Sequence, residues 1–222
     1  MKKNTALALA QAAVPTVSQV ISVKSIARLW GGMGSVIRVQ CDSIDLIIKV
    51  IECRNPLSHG DLRKAASYVV ECNFYMLYSQ YLCDSICCKG LHCANDDLGN
   101  ITIVMTPLPH PTMYSIEGED SSLACLRSIA HLHAYFWGEK SNIAVSNGLA
   151  EQGGYWYLDT RPDEYSAMSK HGLEGKLRNV ARGIDRYLKD HPYQTCLHGD
   201  LKVRGECLIA SREKNNFRFI VL

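Results

Sequence analysis

The chain has 222 residues, 47% hydrophobic and 21% charged, the balance of a globular protein with room for one large domain or two lobes around a real core. Its formal net charge of +2, with no clustered basic run, excludes a nucleic-acid-binding face. No window approaches the ~20 consecutive apolar residues of a membrane span, so no membrane span is expected.

Met1, Lys2 and Lys3 followed by the apolar run Ala6 to Ala10 have two readings: a secretory signal, or a leading helix capped near Asn4 or Thr5. From Val17 to Glu52 the pattern is β. Val17 to Ile26 is rich in β-branched residues. Ser35 to Cys41 and Ile44 to Ile51 follow, joined by a tight turn at Asp42 and Ser43. Between the first two runs lies Trp30-Gly31-Gly32-Met33-Gly34-Ser35. Glycines there let a backbone approach a ligand and turn N–H groups toward phosphate. They equally make a plain hairpin turn, and the glycines alone leave both readings open.

Lys49 is a lone cation inside the apolar strand Leu46 to Ile51. A buried ammonium is costly without an acid beside it. Asp61 to Leu82 supplies one. Leu62, Ala66, Val69, Val70, Phe74, Leu77, Tyr81 and Leu82 recur near the 3.6-residue period, which predicts a helix with Glu71 beside its apolar stripe. A strand lysine held by a helix glutamate places an ammonium against nucleotide phosphates. Asp61 itself, in Ser58-His59-Gly60-Asp61-Leu62, opens this helix and reads as a cap or dipole partner.

Cys83 to Asn100 is a turn-rich connection with one short strand near Leu91. Its cysteines lack paired metal-ligand spacing, so no metal ligand is assigned. The ten cysteines of the chain read as buried thiols in a reducing cytoplasm rather than as a disulfide framework. Ile101 to Met105 is a strand. Pro107, Pro109 and Pro111 then mark a lobe boundary, with 1–106 before it and 107–222 after it, and backbone groups near Met105 and Thr106 suited to an adenine ring.

Ser121 to Trp137 is a second helix, with Leu123, Leu126, Ile129, Ala130, His133, Phe136 and Trp137 on one face and Glu119 and Asp120 at its positive end. His131 and His133 point to different sides and cannot chelate together. Gly138 to Lys170 has no sustained period. It is an aromatic loop carrying Tyr155, Trp156 and Tyr157, read either as an approach to an acceptor or as a self-packed surface loop. Leu173 to Leu188 is the third helix, ended by Asp190-His191-Pro192. Glu206 to Ala210 and Phe217 to Leu222 form two strands around a polar turn. Between that helix and these strands runs Thr195-Cys196-Leu197-His198-Gly199-Asp200-Leu201-Lys202-Val203-Arg204-Gly205.

Four features in this order resemble the kinase-like superfamily: the glycine stretch Gly31 to Ser35, Lys49, the helix residues Ser67-Tyr68 to Glu71 with Phe74-Tyr75, and His198-Gly199-Asp200-Leu201-Lys202. The choline kinase and ecdysteroid kinase-like branch, related to aminoglycoside phosphotransferases, is the nearest in pattern; Leu132-His133-Ala134 with Phe136-Trp137 matches its helix. The resemblance implies an α+β fold of two lobes: a protein kinase-like β-rich first lobe and an incomplete helical second one. It implies ATP and Mg²⁺ as cofactors and a small-molecule hydroxyl as acceptor. Gly31, Gly32, Gly34 and Ser35 are then expected at the nucleotide, with Lys49 on its phosphates, Glu71 holding Lys49, and Met105 near the base. Asp200 is expected as general base, and Lys202 within reach of the transferred phosphate.

Two departures accompany the resemblance. Gly205 stands where an Asn would hold metal, and the metal-binding Asp due after Phe219-Ile220-Val221-Leu222 falls beyond the last residue, so a C-terminally truncated copy is expected. Two functions follow as alternatives: a small-molecule kinase, or a catalytically impaired pseudokinase that binds nucleotide or a protein partner. An α+β structural protein with accidental motifs is the third.

Overall fold

The computed structural model describes residues 1–52, 59–84, 87–107, 112–113, 119–153, 157–199, 208–211 and 216–219. The chain divides into two compact units, 1–131 with 202–222, and 132–201.

In the first unit, helix α1 (Lys3–Ala13) leads into strands β1 (Val20–Arg28), β2 (Gly34–Cys41) and β3 (Asp45–Ile51). Helix α2 (His59–Leu77) follows, then β4 (Gly90–Asn95) and β5 (Ile101–Met105). The strands form one antiparallel sheet in the order β1-β2-β3-β5-β4. The expected turn joins β2 to β3, with the Cys41 N–H donating to the Ile44 carbonyl at 3.0 Å.

Strand alternation gives the sheet two different faces. Ile37, Val39, Leu46, Ile48 and Val104 pack with Ala6 and Ala10 of α1. Ile47, Lys49 and Ile51 point the other way, in register with Met105, Ile103 and Ile101 of β5. Both faces of β3 are covered, which is why it reads as a continuous apolar run rather than an alternating one.

The α1 helix begins at Lys3, after Lys2, and no side chain caps it. The cap expected at Asn4 or Thr5 is therefore absent. Burial of Ala6 and Ala10, and a Lys3 Nζ bond to the Ile21 carbonyl at 2.8 Å, hold the helix instead. Helix α2 likewise starts two residues before Asp61, which lies inside the first turn rather than at the cap.

The buried face of α2 also differs from the expected stripe. Of that stripe Phe74 and Leu82 are buried, whereas Leu62, Val69, Leu77 and Tyr81 are exposed, and Tyr68, Glu71, Tyr75 and Tyr78 are buried beside it. The expected stripe lies partly off the buried face because aromatic rings cover the sheet here. Glu71 sits in the middle of that face, not at its edge.

A second small antiparallel sheet has the order β6-β7-β8, from β6 (Thr112–Met113), β7 (Leu208–Ser211) and β8 (Asn216–Phe219). The last two strands fall within the expected terminal hairpin. The first had no signal, since two residues beside a run of prolines carry no period.

Helix α3 (Glu119–Tyr135) runs from the first unit into the second. Among its described side chains Ser128 and Leu132 are buried, as is Phe136 of the expected face just past its end, while Leu123 and Leu126 of that face are exposed. The stretch after it, expected to be irregular, contains α4 (Glu139–Ser146) and α5 (Pro162–Ala167), each too short to show a sustained period. Tyr155 and Trp156 lie outside the described residues. Helix α6 (Gly172–Lys189) matches its expected span, yet Leu173, Leu177, Val180, Ile184, Tyr187 and Leu188 are 49–74% exposed.

The cysteines depart in part from the expectation of free thiols. Cys72 of α2 and Cys93 of β4 form a disulfide with Cα atoms 6.3 Å apart. Cys41, Cys87 and Cys88 are buried thiols. Among the described residues, no helix is long and apolar enough to cross a membrane.

Candidate functional site

The site is built on β3. Its register sets Lys49 between Val36 of β2 and Ile103 of β5, in the middle of the sheet. Aliphatic neighbours on both sides give the ammonium nothing to bond, so its partner must come from above the sheet. Helix α2 provides it: Lys49 Nζ lies 2.8 Å from Glu71 Oε1 and 2.7 Å from Oε2. The two side chains are 1% and 5% exposed. Burial pushes the Glu71 carboxyl up, and the Lys49 ammonium opposes that rise. The Tyr68 ring, one helical turn before Glu71 and likewise buried, places its centroid 5.0 Å from Lys49 Nζ, a cation–π contact.

Close docking of α2 makes this pair possible. Gly90 of β4 lies against the helix backbone, where a Cβ would come within 2.6 Å of the Tyr75 carbonyl oxygen. Its N–H donates to Ser79 Oγ at 2.9 Å, and its carbonyl accepts from Gln80 Nε2 at 2.6 Å. The Cys72–Cys93 link ties the same helix to the same strand. Sequence reasoning missed Gly90, whose signal was a single glycine opening a short strand.

The glycine stretch forms the turn between β1 and β2. Gly31 and Gly32 have φ of +70° and +69°. The turn closes on itself: the Gly32 N–H donates to the Leu29 carbonyl at 3.1 Å, and the Leu29 N–H donates to the Gly34 carbonyl at 2.9 Å. Gly34 serves the sheet, because a Cβ there would meet the Val50 carbonyl oxygen at 1.9 Å. Ser35 follows in β2, opposite Val50 of β3. Met105 ends β5, fully buried, and the next N–H, that of Thr106, is bonded to the Lys89 carbonyl at 2.9 Å. Of the two backbone positions expected near an adenine, Thr106 therefore has its donor committed.

In the second unit, the chain leading to the His198 segment is anchored by side chains that donate to backbone carbonyls. Gln194 Nε2 donates to the carbonyls of Leu188, Lys189 and His191, capping α6. Thr195 Oγ1 donates to the His133 carbonyl at 2.6 Å. Burial lowers the His133 imidazole pKa and raises the Cys196 thiol to about 11. Gly199 has φ +84°. Asp200, Lys202 and Gly205 lie outside the described residues. Lys49, Glu71 and the glycine turn all lie in the first unit.

No family model and no curated protein matches the chain. Solved structures do. The GDP and kanamycin complex of APH(2")-IIIa is 14% identical, with a TM-score of 0.54, covering 97% of this chain and 70% of that one. A putative aminoglycoside phosphotransferase from Ralstonia eutropha JMP134 is 11% identical, with a TM-score of 0.55, covering 97% and 62%. The GDP complex of wild-type aminoglycoside 2'-phosphotransferase-IIIa is 14% identical, with a TM-score of 0.55, covering 97% and 69%. The chain has the kinase-like fold of these proteins and spans between 62% and 70% of their lengths.

Proposed function

We propose that this chain binds a purine nucleotide and acts as a small-molecule phosphotransferase, in the choline kinase and ecdysteroid kinase-like branch of its fold. The observation that carries this reading is the buried Lys49–Glu71 pair, centred on the sheet that also carries the glycine turn. A lysine held by two carboxylate bonds keeps one orientation, which suits it to nucleotide phosphates. Two neighbours of the same fold were solved with GDP, one of them with kanamycin as well.

In this reading residues 1–106 hold the nucleotide and 107–222 bring the acceptor. Gly31, Gly32, Gly34 and Ser35 frame the phosphates, and Met105 lies at the base. Asp200 orients the acceptor hydroxyl and takes its proton, and Lys202 meets the phosphate in transfer. Mg²⁺, where such enzymes bind it, neutralises phosphate charge. Gly205 has no side-chain oxygen to offer the metal, so the donor set does not fit it at that position.

That same Gly205 favours a second reading, a nucleotide-binding pseudokinase. Thermal unfolding with ATP or GTP tests both. Saturation at 100 times the dissociation constant stabilises the native state by about 2.7 kcal/mol, and Lys49→Met should abolish the shift. Phosphate transfer to an alcohol acceptor, lost in Asp200→Asn with binding retained, selects the enzyme. Binding without transfer selects the pseudokinase. No shift with either nucleotide overturns both.

A further inference from the structure

Two side-chain links tie the middle of α2 to one row of the sheet. Lys49 of β3 is paired with Ile103 of β5, and Ile103 is paired with Cys93 of β4. Directly paired residues present their side chains on the same face. Lys49 and Cys93 therefore both point toward α2, from strands two apart and about 10 Å from each other. Consecutive helix residues stand above them. Glu71 holds Lys49 at 2.8 and 2.7 Å, and Cys72 is joined to Cys93. Successive helix positions point about 100° apart, which directs Glu71 to the central strand and Cys72 to the edge strand.

A phosphate acts on these two links differently. An ammonium has three donors, and Lys49 gives two bonds to Glu71. A phosphate approaching Lys49 draws on that ammonium and competes with the ion pair. The disulfide does not depend on the ammonium. It holds Glu71, one residue away, over β3 while Lys49 turns toward the phosphate. Another tie to β4, from Ser79 and Gln80 to Gly90, lies beyond the end of the helix, about two turns past Glu71. Cys72 and Cys93 are both half-buried, which leaves their bond within reach of a small thiol.

We propose that the Cys72–Cys93 disulfide positions Glu71 over Lys49, and that a small thiol of the glutathione class lowers triphosphate affinity by opening it. The proposal rests on the nucleotide-binding reading above. In the step, the bond between the two sulfurs breaks and each sulfur takes a proton. Two thiols of the reductant give up those protons and two electrons and join as a disulfide. Oxidation by that disulfide reverses the step. Once reduced, the middle of α2 has lost its covalent tie, and Glu71 follows Lys49 when a phosphate pulls on it.

The test is equilibrium binding of ATP, GTP, adenosine and guanosine to the full chain, well below its melting temperature. Wild type is measured oxidised, after dithiothreitol, and after reoxidation with glutathione disulfide; Cys72→Ser and Cys93→Ser are measured in the same buffers. Circular dichroism checks folding in each state. Reduction should raise the triphosphate dissociation constants about tenfold and leave the nucleoside constants unchanged. Reoxidation should restore the wild-type values. Both serine variants should bind triphosphate as reduced wild type does, in every buffer. Equal or tighter triphosphate binding by reduced wild type overturns the proposal and leaves the nucleotide site standing. A parallel loss for nucleosides and triphosphates makes the bond merely structural and also overturns it. A thiol response that persists in both serine variants assigns the effect to other cysteines and overturns it as well. No binding of any nucleotide to oxidised wild type overturns this proposal and the reading beneath it together.

Discussion

Lys49 Nζ is bonded to both carboxylate oxygens of Glu71, at 2.8 and 2.7 Å, with the two side chains 1% and 5% exposed. Burying two charges is expensive, and their attraction roughly offsets that cost only while both remain. Lys49→Met should therefore destabilise the protein by about 3–5 kcal/mol, and Lys49→Met with Glu71→Leu should recover most of it. Denaturant unfolding measures both. The single variant also acquires a pH signature. Burial already raises the Glu71 carboxyl, and removing the lysine takes away the opposing effect. The folded state then holds a proton that the unfolded state releases near its ordinary carboxylate pKa. Its stability should fall as pH rises through the raised folded value, and the double variant should lack that slope.

Two glycines of the β1–β2 turn should respond differently to alanine. At Gly34 a Cβ falls 1.9 Å from the Val50 carbonyl oxygen, so β2 and β3 must separate where their pairing begins. Gly34→Ala should cost about 2–4 kcal/mol, from overpacking together with an unfavourable backbone conformation. Gly32 has φ +69° and open space where a Cβ would stand. Gly32→Ala should cost only about 1–2 kcal/mol. Melting temperatures in the order wild type, Gly32→Ala, Gly34→Ala check the assignment, and the reverse order would refute it.

The relation of Lys49 to Glu71 was legible because charge inside an apolar strand has few physical outcomes, and the helix that follows carries a single acid past its first turn. The strands of the first sheet and the long helices followed from period and β-branching. Which face of α2 is buried was not legible. The stripe of Leu62, Val69 and Leu77 has the right spacing but faces solvent, because Tyr68, Tyr75 and Tyr78 fill the space against the sheet. Tertiary fit overrides periodicity where two stripes compete on one helix. Gly90 stayed hidden for a different reason. Its meaning lies in its closeness to Tyr75, 15 residues away in the chain.

The Cys72–Cys93 disulfide joins α2 to β4, one residue along from Glu71 and across 21 residues of chain. Closing a loop of that size stabilises a native state by about 3 kcal/mol through the unfolded chain. Thermal unfolding of the oxidised protein should therefore shift down on adding dithiothreitol. Cys72→Ser should melt where the reduced wild type does and show no response to the reductant. A wild-type midpoint indifferent to reductant would show that the bond contributes nothing to stability.

His133 gives the second unit a pH dependence of the opposite sign. Burial at the end of α3 depresses its pKa below the ordinary imidazole value of 6.5. Between the depressed folded value and the unfolded one, the unfolded chain binds more protons, so stability rises with pH. The contribution is complete above about pH 6.5 and is lost as pH falls through the folded pKa. The carbonyl of the same residue accepts the Thr195 hydroxyl that anchors the chain entering the His198 segment. Protonation should therefore loosen that segment before the rest of the unit. Urea midpoints of wild type should drop from about pH 7.5 to about pH 5 by more than those of His133→Gln, whose side chain does not titrate there. Amide exchange at 195–199 should accelerate over the same interval in wild type only. Parallel pH profiles for the two proteins would show that the imidazole is not the group responsible.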